Sequence, residues 1–389
     1  MKKNKSIGEG QIDIYKKYFL NKRITKAIDY LREIETNSYK NILRHTGGKK
    51  LDPIRKKEIT EKVLIPGEKV QVEWWYFTGH LEGGIKKYGF EWCMFKFHPR
   101  ALRLGFVPLS YVKQEPFLVL HTAITDITGN KFYFEQDTGV IHKDHIDYNK
   151  LDLELNEATL KHNKIFEVKN KQMDLEITPI KKLVRHFEKG YHLMDARPKS
   201  PTYYVSYPRS KVKGKIKVEG KSINVTGQSW FDHQKCVVPQ KSHMLGWDWF
   251  SIMLNDNTEL MLIILRDKRG LQKYNRMGTY IINSGKTVEI KPKDFKVKYL
   301  ELWKSKETGI TYPAGWHIMM PKLKIDLKVT PYVKEQEVDS RLTTPVGYWE
   351  GACKVEGTKK GKKIEGKSYV ELVGYDNRII SKLIKSSLA

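Results

Sequence analysis

Three blocks of this 389-residue chain recur in the same order, and that shared order constrains the fold more than any single residue does. Glu73-Trp-Trp-Tyr-Phe-Thr-Gly-His-Leu81 resembles Gly246-Trp-Asp-Trp-Phe-Ser-Ile-Met-Leu254. Met173-Asp-Leu-Glu-Ile-Thr-Pro179 resembles Ile325-Asp-Leu-Lys-Val-Thr-Pro331. Lys217-Val-Glu-Gly220 with Gly227-Gln-Ser-Trp-Phe-Asp232 resembles Lys354-Val-Glu-Gly357 with Gly366-Lys-Ser-Tyr-Val-Glu371. A duplicated chain builds two similar units, here residues 66–233 and 243–376, with residues 1–65 as an extension ahead of them. Residues 234–242 then link the units, which puts Asp232, His233, Trp247 and Asp248 beside the seam, where pockets between domains form.

The repeated blocks alternate, so neighbours point to opposite faces and every second residue shares one. Asp232 shares a face with Trp230. Asp248 shares one with Phe250 and opposes Trp247 and Trp249. Beyond Pro66, runs rich in aromatic and β-branched residues are separated by Gly, Asn and Asp turns, the pattern of an all-β sandwich or barrel. Strands are expected over Val70–His80 and Tyr88–Phe97, joined as a hairpin at Glu82-Gly83-Gly84. Others are expected over 118–126, 131–134, 139–142, 151–155, 164–168, 173–177, 202–207 and 211–218. Thr178-Pro179 and Thr330-Pro331 mark strand ends. Ahead of all this, apolar residues from Gln11 to Glu35 recur at three and four, which predicts an amphipathic helix with a basic polar face.

The 71 basic against 45 acidic residues give a net charge of +26, a field that attracts phosphate-bearing surfaces. The lysines are spread throughout, and no helix-turn-helix, zinc finger, RNA-recognition signature or arginine-rich arm is present, so no specific nucleic-acid partner is expected. Peripheral contact with an anionic membrane suits the excess charge better. No apolar run reaches the length of a membrane span, and the first residues lack the apolar core of a secretory signal, which points to a cytoplasmic protein. Cys93, Cys236 and Cys353 lie far apart and fit buried thiols in a reducing compartment. His80, His98, His121 and His243 form no metal-binding spacing, and phosphate-loop, dinucleotide, Gly-x-Ser-x-Gly and zinc-protease motifs are missing. Neither metal nor cofactor is expected.

Glu73-Trp-Trp-Tyr-Phe-Thr-Gly-His-Leu81, Gly227-Gln-Ser-Trp-Phe-Asp-His233, Gly246-Trp-Asp-Trp-Phe250, Tyr312-Pro-Ala-Gly-Trp316 and Tyr348-Trp-Glu-Gly351 together resemble the AttH-like family. That family includes carotenoid 1,2-hydratases and lipocalin-like cyclases of polyene chains. The resemblance runs from Pro66 to Tyr375 and implies two tandem lipocalin-like β-barrel domains behind a helical N-terminal extension. It also implies a lipophilic small molecule as ligand, such as a terpenoid, carotenoid or polyketide chain. Members similar to the hydratase use an aspartate at the position of Asp232 to protonate an alkene. They carry a histidine and a tryptophan on the preceding strand. Thr202-Tyr-Tyr-Val-Ser-Tyr-Pro208 departs from this, offering Tyr203, Tyr204 and Tyr207 and no histidine.

Protonating an isolated alkene needs an acid in a dry cavity and aromatic faces for the developing cation. Asp232 is the candidate acid, with His233 as a second catalytic candidate if a bulge re-aims it toward the same face. Tyr203, Tyr204, Tyr207, Trp230, Trp247, Trp249 and Trp75 are the candidate substrate-binding residues. Trp74, Trp92, Trp316 and also Trp249 are expected to pack cores and the domain interface, and Glu73 and Asp248 to hold the domains together through hydrogen bonds. The functional expectation is acid-assisted hydration, isomerisation or cyclisation of an isoprenoid or polyene. The rival readings are a non-catalytic carrier and a structural adaptor whose barrels are filled by their own side chains.

Overall fold

The computed structural model describes residues 54–376 apart from 55, 58, 100–102, 105–106, 109–114, 197–198, 238–243, 268–275, 342 and 345–346. The helix expected over Gln11–Glu35 lies outside the described residues. The chain divides into a unit of Met1–Asp52 with His98–Glu115 and a unit of Pro53–Phe97 with Pro116–Ala389. Everything below concerns the second.

Eleven strands carry the argument: β1 (Val72–Gly83), β2 (Lys86–Phe97), β3 (Phe117–Asp126), β4 (Met173–Pro179), β5 (Lys199–Val218), β6 (Lys221–Cys236), β7 (Met244–Leu254), β8 (Glu259–Asp267), β9 (Ile325–Pro331), β10 (Tyr348–Lys359) and β11 (Lys362–Val373). Among the described residues they belong to an antiparallel sheet of thirteen strands, ordered through β3-β2-β1-β6-β5-β4, and one of ten, ordered through β8-β7-β11-β10-β9. The order β2-β1-β6-β5-β4 of the first matches β8-β7-β11-β10-β9 of the second, strand for strand, so the repeat in the sequence is a repeat in topology. Both are lipocalin-like half-barrels, and the described residues contain no α-helix. No helix among them is long and apolar enough to cross a membrane.

Local sequence explains most of the ladder. Gly83 pairs with Lys86 across the two-residue loop Gly84-Ile85, where Gly84 takes φ 63°, a left-handed conformation that suits glycine. The segments expected at 202–207 and 211–218 form one strand, β5, because Pro208 is absorbed where the register shifts between Tyr207 and Ser210. Residues 139–142, expected as a strand, form turn and bend.

Parity sorts the side chains. On β1 and β6 the odd residues, including Trp75, Phe77 and Phe231, fill the first half-barrel together with Trp92, Phe166, Tyr203 and Tyr207. Phe250, Trp316, Trp349 and Val370 fill the second. The opposite faces of β1, β2, β5 and β6 pack on those of β7, β8, β10 and β11, burying Tyr76, Cys93, Tyr204, Trp230, Trp249, Met261, Ala352 and Tyr369 in a third cluster. Central strands therefore have both faces covered and read as near-continuous apolar runs, whereas β4 and β9 keep an alternating solvated face. Each fully covered large side chain contributes about 1.5–3 kcal/mol, so the seam is as much a core as either interior.

Candidate active site

The seam encloses a cavity of about 90 Å³ whose walls come from both half-barrels. The ladders explain how. Tyr76 on β1 pairs with Asp232 on β6, and Trp249 on β7 pairs with Glu371 on β11. Ser206 on β5 pairs with the same Asp232 and Tyr204 with Gln234, while Glu350 on β10 pairs with Glu371 and Tyr348 with Val373. The two halves thus contribute equivalent positions: Asp232 and Glu371, Tyr76 and Trp249, Trp74 and Trp247, Tyr204 and Tyr348. All eight line the cavity, with Glu91, Cys93, Phe95, Gln234 and Ile263 completing it. Trp74, Phe95, Trp247 and Ile263 are half-buried and form its outer rim.

Asp232 is 3 % exposed and satisfied on both oxygens. Oδ1 accepts hydrogen bonds from Ser206 Oγ and, at 2.6 Å, from the Trp230 indole; Oδ2 accepts from the Tyr204 hydroxyl. Burial pushes its pKa up to about 7, against the opposing pull of these donors. The Tyr204 oxygen in turn accepts from the Trp249 indole at 2.8 Å. Ser206 Oγ lies 2.6 Å from His186 Nε2, and His186 Nδ1 lies 2.8 Å from Thr279 Oγ1. With Ser206 donating to the carboxylate, His186 donates from Nε2 and accepts from Thr279. Burial lowers the His186 pKa to about 3, so the ring is neutral.

Two further carboxyls face the same space. The Tyr348 hydroxyl donates to Glu91 Oε1 at 2.8 Å and sits 2.9 Å from His121 Nδ1, and burial raises the Glu91 pKa to about 8. The Trp247 indole donates to Glu371 Oε2 at 2.9 Å, and burial, with the Asp232 charge adding to it, raises the Glu371 pKa to about 7. Behind Tyr76, whose hydroxyl donates to Glu350 Oε1 at 2.7 Å, burial pushes the Glu350 carboxyl well above the usual carboxylate range. Tyr76 to Glu350 and Tyr348 to Glu91 are reciprocal bonds from one half-barrel to the other.

Of the residues singled out from sequence, the structure brings Asp232, Tyr204, Trp230, Trp247 and Trp249 together. His233 it does not, because β6 and its partners stay in regular register there and no bulge re-aims the ring. His233 faces the first interior, its Nδ1 2.9 Å from Trp74 O and its Nε2 2.9 Å from Val63 O. Trp75 packs beside it in a tilted arrangement, ring centres 5.0 Å apart, and donates to Leu64 O at 2.8 Å, and Tyr207 donates to Glu61 Oε1 at 2.8 Å. With Tyr203 in the same core, these residues seat the short 3-10 helix Glu61–Leu64 against the first half-barrel. Asp248 also faces inward: it is paired with Arg266 and accepts from Tyr299 at 2.8 Å and Tyr375 at 2.7 Å. Glu73 lies 3.4 Å from Lys96 and 3.2 Å from Lys235. Both carboxylates therefore hold strands within a half-barrel and do not bridge the two.

Sequence reasoning missed Glu91, Tyr76, Tyr348, Glu371, Ser206 and His186 as site residues. Glu371 was within reach, as the repeat counterpart of Asp232, and Glu91 stands out as a carboxylate inside the apolar run Tyr88–Phe97. Nothing local marks His186, which enters from outside the central ladder.

A tandem pair of lipocalin-like half-barrels with a carboxyl-lined seam defines the class, and the comparisons place the chain within it. A family model described as AttH-like matches residues 64–375, so the chain belongs to the AttH-like family. A protein described as an AttH from Nitrosomonas europaea has the same fold, with a TM-score of 0.71 and 24% identity over 84% of this chain and 100% of that one. Kievitone hydratase from Nectria haematococca shares it at a TM-score of 0.59 and 14% identity over 82% of this chain and 93% of that one. Among curated proteins nothing matches.

Proposed function

We propose that the protein is an acid catalyst acting on a carbon–carbon double bond of a lipophilic isoprenoid or polyene, with Asp232 as proton donor. The observation that carries this reading is a buried carboxyl, protonated up to about pH 7, in the wall of an aromatic cavity. An acid with a pKa near the working pH transfers its proton most effectively, and aromatic faces stabilise the cation that results.

Hydration is the arm we favour, since a structure with this fold is a hydratase by name and a second carboxyl stands ready as base. Asp232 gives its proton to one alkene carbon, forming a C–H bond and leaving a cation on the neighbouring carbon. Water adds there, and its surplus proton passes to the ionised Glu371. The net change is one C–H and one C–O bond formed, with one proton moved from Asp232 to Glu371. Return of that proton resets the site. In isomerisation or cyclisation the last proton leaves carbon instead. The space, about three times the share of one liquid water molecule, holds the reacting double bond; the remainder of a longer chain runs out over the rings of Trp74, Phe95 and Trp247.

The test is incorporation of ¹⁸O and deuterium from labelled water into a panel of isoprenoid alkenes, prenylated phenols and polyenes, read by mass spectrometry. Turnover in the wild type that falls by about 10²-fold or more in Asp232→Asn, with binding retained, is the expected result. Unchanged turnover in that variant would move the acid elsewhere, and binding without any turnover would make the protein a carrier.

A further inference from the structure

Among the described residues, the walls of the seam cavity include carboxyls and aromatic rings but no lysine, arginine or histidine. The basic groups nearest in the ladders are engaged elsewhere: Lys96 and Lys235 with Glu73, Arg266 with Asp248, Arg209 and Lys181 with Glu259. His121 and His186, which touch Tyr348 and Ser206, are neutral rings, since burial lowers both pKa values to about 3. The described chain therefore supplies no positive charge of its own to three carboxyls facing one space.

Glu91 carries a buried oxygen that the described residues leave unsatisfied. It is 1 % exposed, and Oε1 accepts from Tyr348, but Oε2 is enclosed and has no hydrogen-bond partner. A buried carboxyl oxygen without a partner is costly, and a ligand N–H placed in the cavity would remove that cost. Around it stand Tyr76, Trp74, Trp247 and Trp249, whose ring faces carry the negative end of the aromatic quadrupole.

We infer that the cavity is a cation site that takes the head of a lipophilic ammonium compound, its N–H donating to Glu91 and its alkyl groups lying against the tryptophan rings. A small dimethylammonium head suits a cavity of about 90 Å³, and its tail leaves between the half-buried rings of Trp74, Phe95 and Trp247. The inference deepens the catalytic reading and rests on it for one link: the ammonium nitrogen stands where the cationic carbon forms when Asp232 releases its proton. Charge at this spot is selected by the cavity and not by the molecule as a whole, because a chain with a net charge of +26 repels cations at long range.

The test uses the full chain and two probes of similar reach, protonated N,N-dimethyloctylamine and neutral 1-octanol, titrated in mildly alkaline buffer with tryptophan fluorescence and calorimetry as readouts. The expected result is one ammonium per chain, bound at least about tenfold more tightly than octanol. Glu91→Gln should bring the two probes to within about threefold of each other while octanol binding is kept. Equal affinity for the two probes in the wild type overturns the inference, and needs no variant to fold. So does a tenfold margin that survives Glu91→Gln. The catalytic reading fails separately: no label from water in any alkene, with the ammonium margin intact, leaves a cation site without that reaction, whereas turnover without the margin leaves the reaction without a cation site.

Discussion

Asp232 and Glu371 occupy the same ladder position in the two half-barrels, one opposite Tyr76 and the other opposite Trp249, and both face the seam cavity. The duplication therefore delivers two carboxyls to one place. Their surroundings then separate them. Asp232 is fully buried under three donors, whereas Glu371 stands half-buried with one indole donor from Trp247. Both carboxyls are raised to a pKa of about 7, so near neutral pH one of the pair can hold its proton and act as acid while the other is ionised and acts as base.

Stability should depend on pH through these carboxyls, and the sign is unusual. Asp232 binds its proton more tightly in the folded chain, with a pKa of about 7, than in the unfolded chain, where about 3.9 is expected. Its contribution is present at low pH and is lost as pH rises through that window, and Glu91 extends the loss to about 8. His80, His121 and His186, held neutral down to about 3, act oppositely and cost stability as pH falls below about 6.5. Above that point the histidines no longer contribute. Asp232→Asn, which resembles the protonated acid, should stabilise the protein relative to wild type at about pH 8.5, by up to the order of 4 kcal/mol, and by only about 1.5 kcal/mol at about pH 5. Thermal melts of both proteins at the two pH values check this; a constant difference would mean that Asp232 titrates normally. Turnover by hydration, which needs protonated Asp232 and ionised Glu371, should peak near pH 7 and decline on both sides of it.

Trp75 should matter for folding and not for ligand. Trp75→Phe removes the indole N–H that meets Leu64 O and leaves a buried carbonyl without its donor, at a cost of about 1–3 kcal/mol. Denaturant melts should show that loss while affinity for the octylammonium probe stays within about twofold. Lost binding in a chain of undiminished stability would instead return Trp75 to the ligand site.

Gly89 lets the half-barrels approach. A Cβ added there would lie 2.6 Å from Ala352 Cβ and 2.7 Å from the Tyr369 hydroxyl, both across the seam. Gly89→Ala should cost about 1–3 kcal/mol by overpacking, and Ala352→Gly should recover part of the loss in the double variant. If the two changes add independently in melts, the half-barrels do not meet at this point.

Much of this was legible in the sequence, and the reason is parity. A strand places alternate residues on opposite faces, so the pairing of Asp232 with Trp230 on one face, and of Asp248 with Phe250 on the other, follows from position alone. The three repeated blocks fixed two similar β units in the same way, and aligned Asp232 with Glu371. Parity does not say which face looks into a half-barrel and which meets the other half, because both are apolar in Glu73–Leu81 and Gly246–Leu254. Only tertiary packing decided that. It sent His233, Trp75, Tyr203, Tyr207 and Asp248 inward, and it joined Glu91 to Tyr348 and His186 to Ser206 across distances in the chain that no local pattern encodes. A cavity walled by two sheets is a property of their contact, and neither repeat contains it alone.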